Sequence, residues 1–182
     1  MKTSISQIAM VAGESSGDLL ASILIPGLKS TWPLLSLVGI GGPAMKNGGL
    51  DSWWPIEKLS VRGYVEVIRH YKEIVGIRKA LKNRLLQSPP DIFIGVDAPD
   101  FNLDLARDLR AKGIPTVQYV CPSIWAWRFE RIKKIRASVD HVLCIFPGLS
   151  TTPELIVAKF FNIVVYTSRC RGRAAAAGWL HA

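Results

Sequence analysis

Asp97 and Asp100 stand three residues apart, directly after the short apolar run Ile92-Phe93-Ile94-Gly95-Val96. Two carboxylates placed this way can accept a proton from an attacking hydroxyl or hydrogen-bond the hydroxyls of a substrate. The same pair can also do no more than cap a turn and the helix that follows it. The run is too short for most helices and rich in β-branched and aromatic residues, which reads as a strand buried on both faces of a parallel sheet. Gly95 allows another group to approach the backbone closely, and Pro99 stops the strand. Both acids therefore fall at or just beyond the carboxyl end of a strand, where open α/β sheets place their ligands.

A second polar cluster, Gly13-Glu14-Ser15-Ser16-Gly17-Asp18, follows the strand-like run Ile8–Ala12 and precedes a helical pattern through Leu19, Leu20, Ile23 and Leu24. It lacks the lysine and spacing of a nucleoside-triphosphate loop. Ser15 or Ser16 can cap the helix, with Glu14 and the first amides turned toward a ligand, or the segment can be a plain cap. Pro26-Gly27 is expected to end or kink that helix. Gly39-Ile40-Gly41-Gly42-Pro43-Ala44 matches a dinucleotide-binding pattern, yet Pro43 lies inside the turn and the strand is the second one. It reads better as a tight strand–helix turn. Pro122-Ser123-Ile124-Trp125-Ala126-Trp127-Arg128 sets two tryptophans beside an arginine. These rings either pack as core with Arg128 stacked on them or line a sugar or acyl site.

The elements that must position these residues alternate. Strands are expected at Ile8–Ala12, Leu35–Ile40, Ile92–Val96, Thr116–Val120 and Val142–Phe146. Helices are expected after the first strand, over Tyr64–Leu86 with a break at Gly76, over Leu103–Lys112 and over Glu130–Ala137. Asp51–Pro55 reads as an irregular connection. Such alternation argues an α/β fold with a doubly wound parallel sheet. After Pro147 the alternation stops; Ile156–Val165 can form one apolar element, and four alanines follow an arginine-rich stretch.

The 182 residues carry a formal net charge of +9, and mean hydropathy is +0.23. No apolar run approaches the roughly 20 residues that span a bilayer, and no signal-peptide core is visible, so a cytoplasmic location is expected. Cys121, Cys144 and Cys170 form no metal-ligand pattern and no disulfide framework. Arg69, Lys72, Arg78, Lys79, Lys82 and Arg84 crowd one helical stretch with Glu73 as the only acid among them. Interleaved with Val67, Ile68, Tyr71, Ile74, Val75 and Leu81, they describe either a core helix with a solvated basic face or a cationic helix lying on anionic lipid. No helix-turn-helix, zinc-finger or RNA-binding aromatic motif accompanies them, so nucleic acid is not an expected partner.

Taken in order, Val11–Asp18, Gly39–Met45, Gly95–Asn102 and Tyr119–Arg128 resemble four motifs of the lipid-A-disaccharide synthases. The resemblance implies a Rossmann-like domain, the amino-terminal, acceptor-side half of a GT-B glycosyltransferase. It implies inverting transfer of 2,3-diacylglucosamine from its UDP derivative to 2,3-diacylglucosamine 1-phosphate (lipid X), with release of UDP and with no metal or cofactor. Asp97 matches the family's catalytic aspartate. Glu14, Ser16, Asp18, Asp100, Asn102, Ser123 and Trp127 fall in the matching motifs and are expected to bind substrate. Arg69, Lys72, Arg78, Lys79 and Lys82 would face the anionic inner leaflet of the cytoplasmic membrane, making the protein peripheral there.

Arg62, Gln118 and Cys121 depart from the residues usual in that family, which are apolar, His and Ser respectively. The resemblance covers residues 8–147. On that basis 1–147 are expected to form the acceptor-side domain, and 148–182 a tail foreign to the family, disordered or frameshifted. The carboxyl-terminal UDP-sugar domain is expected to be absent and the chain inactive by itself. A non-catalytic lipid- or membrane-binding remnant is the alternative, and a nicotinamide-dependent oxidoreductase a distant third.

Overall fold

The computed structural model describes the backbone of residues 5–60, 64–120, 129–144, 155–158 and 163–167, and side chains in 5–60, 70–120 and 133–143. The elements in chain order are β1 (Gln7–Ala12), α1 (Ser15–Thr31), β2 (Ser36–Ile40), α2 (Pro43–Asn47), β3 (Leu50–Trp54), a 3-10 turn (Ile56–Lys58), α3 (Tyr64–Gln87), β4 (Ile92–Val96), α4 (Pro99–Arg110), β5 (Thr116–Tyr119), α5 (Phe129–Ser138), β6 (His141–Cys144), β7 (Leu155–Ala158) and β8 (Ile163–Thr167). They form one sheet in the order β3-β2-β1-β4-β5-β6-β8-β7. The first six strands are all parallel, and β8 joins β6 antiparallel with β7 antiparallel outside it. This is the expected doubly wound, Rossmann-like α/β fold.

Alternation along β1 shows why both faces of the sheet are covered. Ile8, Met10 and Ala12 pack with Ala21 and Ile25 of α1, Met45 of α2 and Leu50 of β3. Ala9 and Val11 point the other way, into a cluster with Ile77, Leu81 and Leu85 of α3, Leu105 and Leu109 of α4, and Ile135 of α5. A strand apolar at every position can be stable only between two such layers. The strand order reverses at β1, whose neighbours are β2 on one side and β4 on the other. The crevice beyond the carboxyl ends of β1 and β4 is thus the topological switch point, where doubly wound folds bind ligands.

The structure departs from the sequence-based expectations at several points, each with a local cause. The helix α1 runs through Pro26 to Thr31. Pro26 and Gly27 sit on its exposed side while Ile25 stays buried, so core packing outweighs one lost backbone hydrogen bond. Gly76 does not break α3, and a Cβ there would meet open space. Pro99 both stops β4 and starts α4, because its fixed φ suits the first helical position. Leu50–Trp54 is an edge strand in parallel register with β2, anchored by the buried Leu50 and by Ser52 Oγ donating to the Gly41 carbonyl at 3.0 Å. Residues 155–158 and 163–167 form two short strands in place of the one expected element. Their β-branched residues suit pairing with the otherwise unpartnered outer edge of β6.

The basic residues of α3 divide into two groups. Arg78 Nη1 reaches Asp104 of α4 at 2.8 Å, and Lys82 Nζ reaches Asp108 at 3.0 Å. The Arg84 guanidinium lies 3.8 Å over the ring of Trp53. These three bind α3 to its neighbours, whereas Lys72 and Lys79 are exposed. Asp104 also receives Lys134 of α5 at 3.1 Å, and Arg110 of α4 pairs with Asp140 at 3.0 Å. Burial pushes the Asp104 carboxyl up, but the Lys134 hydrogen bond and the charges of Lys134, Arg78 and Arg107 outweigh it and hold the group below its ordinary value. Burial acts likewise on Asp140 and is overcome by the Thr116 amide, Arg110 and the Thr116 hydroxyl.

Both carboxyls are therefore more acidic in the folded than in the unfolded chain. Their stabilisation is full above the ordinary aspartate value of 3.8 and is lost as pH falls through the lower, folded values. Urea midpoints should hold steady through neutral pH and drop below about pH 4. Arg110→Gln should flatten that acid-side drop, and an unchanged slope would show that the Arg110–Asp140 pair is not its source.

Candidate active site

Val96 pairs in register with Ala12, so the turn after β4 lies directly against the turn after β1. The two turns nearly touch. A Cβ on Gly13 would sit 2.5 Å from the Ala98 Cβ, and one on Gly17 would sit 3.3 Å from the Val96 carbonyl oxygen and 3.6 Å from the Asp97 Cβ. Gly13 and Gly17 thus let the start of α1 fit beneath Asp97. Glu14 occupies the position before that helix, with Ser15 as the helix's first residue; Glu14, Ser15 and Ser16 are all exposed. The serine cap is not formed: Ser15 and Ser16 lie inside the helix, and the side chain of Glu14, at the capping position, makes no capping hydrogen bond.

Asp97 and Ala98 both adopt left-handed backbone conformations, with φ of 52° and 39°. Two successive non-glycine residues in this region are strained, and such strain tends to collect where a side chain must be aimed. The consequence here is a sharp exit from β4 that leaves the half-buried Asp97 at the switch-point crevice, next to the start of α1. Asp100 lies in the first turn of α4 and is exposed; its carbonyl oxygen accepts a long bond from Arg78 Nη1 at 3.4 Å.

Asp18 and Asn102 are turned inward. The Asp18 carboxylate, 5% exposed, accepts the amides of Gly42, Ala44 and Met45 at 2.8, 3.0 and 3.0 Å. It thereby ties α1 to the first turn of α2. This also explains the glycine-rich stretch: the amides that a dinucleotide phosphate would need are already bonded to Asp18. Gly39, at φ 139°, lies so close to the Met10 carbonyl that any side chain would collide with it. The glycines serve strand packing, and the oxidoreductase reading loses its only support. Asn102 is wholly buried and donates to main-chain carbonyls.

Of the residues expected from sequence, the fold therefore gathers Asp97, Glu14 and Ser16 at one crevice, with Asp100 on its rim. Ser123, Trp127 and the rest of the tryptophan-bearing loop lie outside the described residues, as does the side chain of Arg69. Sequence reasoning missed Gln118 as a contributor, a residue noted only as a departure from a family pattern. Its signal was present in β5: a carboxamide in the middle of an apolar strand must find buried partners. Among the described residues no cluster of three His, Cys, Asp or Glu stands close enough to hold a metal ion, and no helix is long and apolar enough to cross a membrane.

A Rossmann-like sheet with a strained aspartate at its switch point defines an α/β domain of the kind that works on a ligand at its strand ends. The sequence model of the lipid-A-disaccharide synthetase family matches residues 8–151, and the chain belongs to that family. It is 66% identical over 142 residues to the lipid-A-disaccharide synthase of Albidiferax ferrireducens, covering 78% of this chain and 36% of the relative. The corresponding enzyme of Dechloromonas aromatica is 62% identical over 141 residues, 78% of this chain and 37% of the relative. That of Verminephrobacter eiseniae is 58% identical over 142 residues, 78% of this chain and 36% of the relative. The chain thus spans little more than a third of the length of the curated relatives it matches.

Proposed function

We propose that residues 1–147 form the acceptor-side domain of an inverting glycosyltransferase of lipid A synthesis. In this reading the donor is UDP-2,3-diacylglucosamine and the acceptor is 2,3-diacylglucosamine 1-phosphate. Asp97 takes the proton from the acceptor's 6-hydroxyl as that oxygen attacks the anomeric carbon from the face opposite UDP. The bond to UDP breaks with its electron pair on the leaving phosphate, and the new glycosidic bond has inverted configuration. Glu14 and Ser16, exposed at the start of α1, are placed to hydrogen-bond sugar hydroxyls. The observation that supports the reading is that Asp97, in a left-handed turn at the carboxyl end of β4, lies beside the turn after β1 in a chain belonging to this family.

A GT-B transferase closes its cleft between two domains, and the relatives extend well beyond the matched segment, so the 182 residues alone are expected to form no disaccharide. The test grafts residues 8–147 in place of the corresponding segment of the Albidiferax ferrireducens enzyme. Disaccharide formation by the folded hybrid supports the reading. A folded hybrid that binds both substrates and forms no product rejects it.

The exposed side of α3 supports a location at the inner face of the cytoplasmic membrane. Lys72 and Lys79 stand two turns apart, and Tyr71 beside them is 60% exposed. Arg78 and Lys82, bound to α4, are not needed for this contact. The chain should bind vesicles containing phosphatidylglycerol at low salt and release them as salt rises. Replacing Lys72 and Lys79 together by glutamine should weaken binding roughly 10- to 30-fold, at about 1 kcal/mol for each lysine near the surface. Binding unaffected by both changes would remove α3 from the membrane contact. Binding by this chain while the grafted hybrid stays inactive would instead favour a lipid-binding remnant.

A further inference from the structure

Two buried carboxamides converge on one oxygen. Asn102 Nδ2 donates to the Asp97 main-chain carbonyl at 2.9 Å, and Gln118 Nε2 donates to the same carbonyl at 3.0 Å. Each also reaches further along the strand ends. Asn102 approaches the Val11 carbonyl at 3.2 Å and that of Val96 at 3.4 Å; Gln118 approaches Tyr119 and Val120 at 3.4 Å. Both side chains are wholly buried, and their amide oxygens have no partner among the described residues. Reversing either amide would set its oxygen against the Asp97 carbonyl, so the donors must face that atom. Leaving two buried oxygens unpaired is costly, and such groups in a native fold call for a reason.

The reason lies in the backbone around them. All three non-glycine residues with positive φ among the described residues, Asp97, Ala98 and Val120, adjoin this pair. Gly95, in register with Gln118, makes room for it: a Cβ there would meet the Asn102 Cβ at 2.8 Å and Gln118 Oε1 at 3.0 Å. We propose that Asn102 and Gln118 are positioning residues for the reaction, together holding the Asp97–Ala98 turn in its left-handed form so that the Asp97 carboxylate faces the crevice. Asn102 then acts through Asp97 and does not touch substrate. The catalytic consequence rests on the reading of Asp97 as the base; the holding of the turn does not.

The test reads the turn directly by NMR in the 182-residue chain. A positive φ brings a residue's amide proton close to its own Hα, so Asp97 and Ala98 should give strong intraresidue cross-peaks, and their absence in the unmodified chain overturns the proposal. Gln118→Leu should weaken them while β1 and β2 resonances persist, and Gln118→His, which restores a donor, should recover them. In Gln118→Glu the peaks should be strong when the carboxyl is protonated and weak when it ionises, reversibly in one sample. Peaks indifferent to all three changes overturn the proposal, and so does Gln118→His behaving as Gln118→Leu does. In the grafted enzyme Gln118→Leu should lower kcat up to about 100-fold with KM little changed, the effect of a misplacement near 1 Å. Cross-peaks that follow the donor while kcat stays normal would reject Asp97 as the base and leave the turn assignment standing.

Discussion

In the grafted enzyme, Asp97→Asn is expected to lower kcat by about 100-fold or more while leaving the fold intact. Removing a general base typically costs 10²- to 10⁴-fold, and asparagine has nearly the same shape without the ability to take a proton. The fold should not notice. Asn102 and Gln118 bond to the main-chain carbonyl of residue 97, and its amide donates to the Tyr119 carbonyl at 2.9 Å. None of these contacts involves the carboxylate. The left-handed conformation is also one that asparagine tolerates well. Urea midpoints of the 182-residue chain with and without the Asp97→Asn substitution should therefore coincide within error. Turnover near that of the unsubstituted hybrid would refute Asp97 as the base, whatever the stability result.

The second large effect is on stability. Asp18→Ala removes a carboxylate that holds three backbone amides at the start of α2. Hydrogen bonds to a charged group contribute about 1.5–3 kcal/mol each, and a buried donor left unpaired costs a similar amount. These bonds are coupled, so the loss should be about 3–5 kcal/mol rather than their simple sum. For a domain whose total stability is of order 5–15 kcal/mol, that is a large fraction. Asp18→Asn should fall between, because its one carbonyl oxygen can still serve two amides while its NH₂ group opposes the third donor. Urea unfolding of the three proteins measures the series. A loss under about 1 kcal/mol for Asp18→Ala would show that water replaces the carboxylate and that the start of α2 does not depend on it.

Asp18 and Asn102 illustrate how a motif can be legible while the roles within it are not. Both belong to segments that resemble family motifs, and both looked like ligand-binding polar residues. Folding points them inward, because α1 returns its first turn over the β2–α2 loop and α4 returns its first turn over Gly95. Arg78 and Lys82 follow the same logic. On the helix alone they belong to a basic face, and only the packing of α4 beside α3 supplies Asp104 and Asp108 as partners. A charge pattern along one helix does not contain the position of another.

The sequence by itself determined the fold class, because continuous β-branched runs separated by helical periodicities can be buried only as a parallel sheet between two helical layers. It determined the family as well, through four ordered motifs, and it located Asp97 at a strand end because Gly95 and Pro99 bracket the turn. Tertiary structure decided the rest. That Leu50–Trp54 is a strand, that Pro26 lies within a helix, and that Gln118 grips the carbonyl of a residue 21 positions away all depend on long-range partners. Local propensity is worth tenths of a kcal/mol per residue, whereas burial of one large side chain is worth about 1.5–3 kcal/mol. Where the two disagree, packing against distant residues sets the outcome, and those residues are known only once the chain has folded.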